Sequence, residues 1–211
     1  LFGNTIVGLN PHFDDEVVYM GALSRLLKLG IVDKIFLVYF SYPWKSEISV
    51  VNKEQSKIVA LLRKASAKKI DVITTKPIYP VRELDKNRQN ILEFLVSLNK
   101  ACNPSLVFCP CSHDVHQDHQ VIYQEAIRAF KTTSILGSNY YWNILKKANT
   151  ENLYVELWKD DLKLVLDCAD VYKSQNKIFL ETDNIIAIAK AKGLEIKKEY
   201  AQVFELIRGV M

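Results

Sequence analysis

The chain predicts an α/β domain, a mainly parallel sheet with helices on both faces. Three observations lead there. Apolar runs of strand length alternate repeatedly with longer stretches of helical periodicity. The run from Ile35 to Phe40 is apolar throughout, as a strand covered on both faces requires. Over 211 residues, 49% apolar and 25% charged, there is material for one core, so residues 1–211 are taken as a single domain. The same figures exclude a disordered chain, and 7 Gly with 6 Pro exclude collagen-like or low-complexity classes. The longest apolar run falls far short of the ~20 residues of a transmembrane helix.

The elements follow in order. Thr5 to Leu9 reads as a buried strand that passes through Asn10-Pro11 into a helix from about Asp14 to Leu29. Val17, Met20, Leu23 and Leu27 recur there at helical spacing, with Gly30 placed to cap the end. Lys34 to Ser41 is the second strand, and Lys53 to Lys69 a helix with Ile58, Leu61, Leu62 and Ala65 on one side. Asp71 to Thr74 is the third strand, followed by an irregular connection at Pro77 and Pro80 and a helix from Asp85 to Lys100. Leu106 to Cys109 is the fourth strand, and Gln117 to Lys131 the next helix, with Ile122, Ala126 and Phe130 inward. Beyond Thr132 the pattern weakens. Ile135–Tyr141 and Leu153–Leu157 read as strands and Leu162–Lys177 as a helix. Thr182–Lys192 reads as a helix closed by Gly193, and Glu199–Ile207 as strand or loop.

Charge says little about partners. The 28 basic and 24 acidic side chains leave +4, and the small basic clusters at Arg63-Lys64, Lys68-Lys69, Lys146-Lys147 and Lys197-Lys198 read as solvated surface, with no nucleic-acid partner. Four cysteines, Cys102, Cys109, Cys111 and Cys168, are too few for a disulfide framework, so a reducing, cytoplasmic compartment is expected. No secretory or transit segment is visible, although the chain opens on Leu1 and leaves room for a removed leader. Assembly as a homo-oligomer is compatible with all of this.

Histidine is the informative residue. There are four, and His113, His116 and His119 fall within seven positions. The fourth, His12, runs straight into Phe13-Asp14-Asp15-Glu16. Both groups follow strands of a parallel sheet, and ligands bind outside the carboxyl ends of such strands. Imidazole and carboxylate together suit zinc and related divalent ions such as Fe²⁺. A hydrolytic zinc site uses three protein ligands and needs a free carboxylate as base. His12, Asp15 and one histidine of the second group supply three ligands, and Asp14 remains as the base. His116 and His119, three apart at a helix start, share a face. Taken singly these residues have plainer roles: a helix-start histidine, acids complementing a helix dipole.

Together, these residues resemble the PIG-L (LmbE-like) family of N-acetylglucosaminyl deacetylases. The first family signature, Pro-His-Pro-Asp-Asp-Glu, stands here as Pro11-His12-Phe13-Asp14-Asp15-Glu16. The second, His-x-Asp-His, stands as His116-Gln117-Asp118-His119. Pro80-Val81-Arg82-Glu83, Arg88-Gln89-Asn90-Ile91-Leu92, Tyr172-Lys173-Ser174-Gln175 and Tyr200-Ala201-Gln202-Val203-Phe204 are similar as well, so the resemblance runs over most of the chain. It implies a Rossmann-like three-layer sandwich and a zinc-dependent hydrolase of a linear amide bond. The N-acetyl group of an N-acetylglucosamine-type sugar or glycoconjugate would be released as acetate. It places the metal ligands on His12, Asp15 and His119 and the base on Asp14. It makes His116, protonated, the stabiliser of the oxyanion, with Asp118 holding the His116 ring. Phe13 departs from the family's Pro and is expected to be a hydrophobic wall residue.

Arg82 and Arg88 are candidates for binding a phosphorylated or nucleotide-linked sugar, because guanidinium suits phosphate; the alternative is a surface ion pair. Tyr140-Tyr141-Trp142 suggests sugar stacking or plain packing. Cys109-Pro110-Cys111 beside His113 allows a Cys/His zinc site, although Cys109 in a buried strand behaves as a small hydrophobe. His113 and Asp114 are either participants or loop-orienting residues. A dinucleotide-binding enzyme is excluded, since Asn10-Pro11-His12-Phe13 stands where glycines would be required. A hydrolase of another bond, such as a phosphoester, and a non-catalytic metal-containing sugar-binding protein are the competing functions.

Overall fold

The structure is a computed structural model that describes residues 4–42, 48–143, 150–173 and 177–210. Lys146, Lys147, Ser174 and Gln175 lie outside these. A seven-stranded sheet runs through the middle. Its strands are β1 (Thr5–Asn10), β2 (Lys34–Tyr39), β4 (Asp71–Thr74), β6 (Leu106–Pro110), β7 (Ser134–Ser138), β8 (Leu153–Leu157) and β9 (Tyr200–Arg208). A two-residue pair, β3 (Ser41–Tyr42) with β5 (Tyr79–Pro80), stands apart. The order is β4-β2-β1-β6-β7-β9-β8; the first five strands are parallel and β9 runs antiparallel to both β7 and β8. This is the mainly parallel, Rossmann-like three-layer sandwich.

The strands are covered on both faces, and their alternation shows it. Ile35, Leu37 and Tyr39 of β2 join one core, with Leu23 and Leu27 of α1 (Met20–Lys28), Ile58 and Leu62 of α2 (Ile48–Ala65), and Val165 and Cys168 of α5 (Lys159–Val171). Val38 and the following Phe40 join the other, with Ile91 and Leu95 of α3 (Arg88–Cys102) and Ile122 and Ala126 of α4 (Gln117–Ala129). A period of two delivers apolar side chains to both sides, which is why β2 needs an unbroken apolar run. The last helix, α6 (Thr182–Glu195), packs on β9. Among the described residues no helix is long and apolar enough to cross a membrane.

Several boundaries differ from expectation, each for a local reason. The first helix does not begin at Asp14. That residue is left-handed, with φ 89°, so a 3-10 turn over Asp15–Tyr19 precedes α1. Leu84–Asn87 is likewise a 3-10 turn ahead of α3, and the strand after Thr132 ends at Ser138. The helix expected from Leu162 starts at Lys159, because the Asp161 carboxylate accepts the Trp158 N–H at 2.8 Å. It ends at Val171, not Lys177. Gly30 does sit at φ 66° after α1. Gly193 does not close its helix but lies inside α6, where a Cβ would come within 2.7 Å of the Lys198 carbonyl oxygen. The segment after Glu199 is strand, half-buried, with Ala201, Val203 and Phe204 inward.

Strand order turns outward in opposite directions from β1 and β6, which are neighbours. The crevice between their carboxyl ends is the switch point of the sheet. The chain leaves β1 into residues 11–19 and β6 into residues 111–116, so both histidine segments open onto it.

Candidate metal centre

Three lone-pair donors converge in the crevice. His12 Nδ1 lies 3.2 Å from Asp15 Oδ2, His119 Nε2 lies 3.5 Å from the same oxygen, and the two ring nitrogens are 3.3 Å apart. Donors ~2.1 Å from a tetrahedral ion sit roughly 3.4 Å from one another, so this triangle has the size a zinc-type ion requires.

The far side of each ring settles which nitrogen faces inward. His12 Nε2 meets Asp118 Oδ2 at 3.0 Å, and His119 Nδ1 meets Asp114 Oδ2 at 2.7 Å. A carboxylate only accepts, so these nitrogens carry the protons and the inward ones present lone pairs. Two lone pairs and a carboxylate oxygen pointing at one spot repel unless a cation or a proton sits among them. The titration behaviour of the group agrees. Burial lowers the His119 pKa, but Asp15 and Asp114 outweigh it and raise the ring to about 10. His12 moves up as well, Asp15 and Asp118 prevailing over burial. Asp15 moves down against its burial, under His119 and His12. The donor set of two imidazoles and one carboxylate fits a borderline divalent ion.

His116 completes the cluster from a different posture. Ligating atoms of His12, His116 and His119 lie within 4.8 Å of one another. His116 is the N-cap of α4, and its Nδ1 accepts the Asp118 backbone N–H at 3.2 Å. Its proton therefore resides on Nε2. Burial, then His12 and His119, push its pKa down to about 4, which favours the neutral ring. The Asp118 side chain does not hold this ring. It goes to His12 and accepts the backbone N–H groups of Arg82 at 2.7 Å and Leu84 at 3.4 Å.

Asp14 is buried, and its Oδ2 lies 2.5 Å from Lys177 Nζ. Burial and neighbouring Asp15 push its pKa up to about 7 despite that ammonium. Glu16 is fully buried beneath, bonded to the Tyr172 hydroxyl, and burial lifts it to about 8.

The cleft above the cluster has a volume of about 730 Å³, with His12, His116, Arg82, Lys86 and Lys177 among its lining residues. Arg82 is thus at the mouth. Arg88 is not: its Nε and Nη2 bond to buried Glu125 at 2.8 and 2.6 Å, clamping α3 to α4. His113 stands away from the cluster, between Thr150 Oγ1 at 3.0 Å and Cys111 Sγ at 3.6 Å. Burial pushes the Cys111 thiol up to about 12. Phe13 stacks on Tyr39 in the core. Tyr140 is buried, edge-on to His119 at 4.4 Å, and Trp142 stacks on Phe179.

Sequence reasoning missed Lys177, and left Asp114 without a role. Asp114 had one usable signal, its place between two histidines. Lys177 had none, being 163 residues from its partner.

No family model and no curated protein matches the sequence. Solved structures do match. The N,N'-diacetylchitobiose deacetylase of Pyrococcus horikoshii is 19% identical, with TM-score 0.65, covering 95% of this chain and 82% of that one. A teicoplanin deacetylase solved in a zinc-inhibited form is 12% identical, TM-score 0.70, covering 95% and 96%. The 4-carboxy-2-hydroxymuconate hydratase of Pseudomonas putida KT2440 is also 12% identical, TM-score 0.70, covering 99% and 98%. At these identities the likeness is one of fold.

Proposed function

We propose that the chain is a metal-dependent N-deacetylase acting on an N-acetylated sugar or sugar conjugate. The observation that carries this is the inward-facing triangle of His12 Nδ1, Asp15 Oδ2 and His119 Nε2, backed by Asp118 and Asp114. The two deacetylases that share the fold support the choice of amide over other bonds. Zinc is the proposed ion, with Fe²⁺ the alternative that the same donors suit.

An ion held there supplies Lewis acidity and lowers the pKa of water it binds. The remaining work falls to the chain's own groups. Asp14, with a pKa near neutrality, is suited to take a proton from the attacking water and return it to the departing amine nitrogen. His116 Nε2–H, neutral and oriented by its bond to the Asp118 N–H, donates to the oxygen that becomes negative as the acetyl carbon turns tetrahedral. Arg82 and Lys86 at the mouth suit a phosphate- or nucleotide-linked sugar. The four cysteines are free, which suits a reducing compartment such as the cytoplasm.

The hydratase with the same fold favours a second reading, addition of water to a carbon–carbon double bond. One experiment separates them. Metal-loaded protein is incubated with free, lipid-linked and nucleotide-linked N-acetyl sugars, and amine and acetate are both measured. Equal release of the two from at least one sugar is expected. No amine from any of them, with metal bound, overturns the deacetylase reading.

A further inference from the structure

Lys177 belongs to neither histidine segment, yet it reaches the centre. Its Nζ is 2.5 Å from Asp14 Oδ2, and Asp14 is 3% exposed while the lysine side chain is 34% exposed. The ammonium is therefore the face of this pair that lines the cleft, beside His12, His116 and Arg82. Among the described residues it is the only hydrogen-bond partner of the Asp14 carboxylate.

The lysine is held from behind. The Leu180 N–H donates to the Lys177 carbonyl at 2.9 Å, closing a tight turn, and the Phe179 ring lies 5.4 Å from Nζ. Phe179 stacks on Trp142 with centroids 3.6 Å apart and planes 12° from parallel. Trp142 meets Tyr140 edge-on at 5.8 Å, and Tyr140 meets His119 edge-on and donates its hydroxyl to the Asp15 carbonyl at 3.3 Å. A continuous wall of rings thus runs from His119 to Lys177, and the lysine closes it back onto Asp14. A long side chain braced this way surrenders much rotamer freedom, which a freely moving counter-ion would keep.

The chemistry needs such a brace. A carboxylate turns readily about its terminal torsion, where the energy wells are broad. Asp14 also sits next to Asp15, a like charge in the same buried crevice. A cation on one oxygen of Asp14 removes both problems.

We propose that Lys177 is the positioning residue for Asp14: it pins Oδ2 and leaves Oδ1 to face the proton it takes. This rests on Asp14 being the base of the deacetylase proposed above. Lys177 does not touch the reacting atoms in this account, so its loss slows turnover without displacing metal.

The test joins kinetics to a readout that needs no activity. Lys177→Ala is expected to keep its metal by elemental analysis and to lose about 10- to 100-fold in kcat, the scale of one hydrogen bond to a charged group, with KM unchanged. Lys177→Arg restores part of the loss, and added ethylammonium rescues Lys177→Ala with saturation. Full kcat in Lys177→Ala, or loss of metal from it, overturns the proposal. In parallel, NMR of protein labelled with ¹⁵N-lysine is expected to show a slowly exchanging Nζ signal that vanishes in both Asp14→Ala and Lys177→Ala. If the wild type releases no amine from any sugar, the deacetylase reading fails, and the NMR result still decides whether Lys177 holds Asp14. A signal that survives Asp14→Ala removes the contact on which the proposal stands.

Discussion

The two loops that meet at the switch point differ in kind. The loop after β1 concentrates unfavourable features: three consecutive buried acids, Asp14, Asp15 and Glu16, with Asp14 forced to φ 89°. A non-glycine residue held there costs on the order of 1–3 kcal/mol. The loop after β6 relaxes into a helix start. His116 caps α4, Asp114 accepts the His116 N–H at 2.8 Å as well as the His119 ring, and Asp118 satisfies two backbone N–H groups and the His12 ring. In the proposed site the first loop carries His12, Asp14 and Asp15, and the second carries His116 and His119 together with Asp118 and Asp114, the carboxylates that orient the His12 and His119 rings. Strain and like charge gather in the first loop while the second is rich in hydrogen bonds, a division in keeping with where strain collects in proteins.

That contrast can be broken most severely at the ligands. Asp15→Ala and His119→Ala each remove one corner of the triangle, and elemental analysis of purified protein is expected to find almost no bound metal and no activity. Full metal content in either variant would mean that the triangle is not the site.

The next effect is on rate alone. Asp14→Ala should retain metal and lose roughly 10²- to 10⁴-fold in kcat, the range of general acid–base groups. His116→Ala should lose roughly 10²- to 10³-fold, the range of a single oxyanion donor. Equal metal content in both, measured beside the rates, sharpens the separation between binding and reacting groups.

Orientation is worth less. Asp114→Asn and Asp118→Asn are expected to weaken metal affinity about 10- to 100-fold, as loss of a carboxylate behind a ligating histidine generally does. Asp118→Asn should be the worse of the two, because it also loosens the turn at Arg82 and Leu84. Competition with a chelator measures both. An unchanged affinity in each would dissolve the difference between the loops.

The smallest effect lies in stability and pH. Burial raises Glu16 from an ordinary 4.5 to about 8 in the folded protein. The unfolded chain releases this proton first, so the folded state holds more protons between those values. Stability from the protonated group is then complete below about pH 4.5 and declines as pH rises through about 8. Denaturant titrations across that window should show the decline in the wild type and a flatter profile in Glu16→Gln. Parallel profiles would remove Glu16 from the list of buried acids kept neutral by the fold.

Much of this is legible in the sequence. The alternation of runs predicts the parallel sheet, and the histidines that cluster after two strands single out His12, Asp15 and one histidine of the second group, which the family resemblance narrows to His119. What was hidden depends on distances closed only by folding. Asp118 was expected behind His116 because the family resemblance implies it there; the helix start instead turns its carboxylate to His12, 106 residues away. Arg88 looked free to bind phosphate because Glu125, its buried partner, lies one helix further on. The left-handed Asp14 that delays α1 leaves no mark in composition or periodicity. The antiparallel β9 was ambiguous because buried, half-buried and exposed residues mix along it without a clean period of two, and Gly193 resembled a helix cap when its smallness serves a close backbone pass.

The account turns on where a metal ion binds. Crystals grown with zinc and measured across its absorption edge would show it as an anomalous peak. The predicted result is one strong peak ~2.0–2.2 Å from His12 Nδ1, Asp15 Oδ2 and His119 Nε2. A peak at Cys111 and His113 instead, or coordination by His116 in place of Asp15, would contradict it.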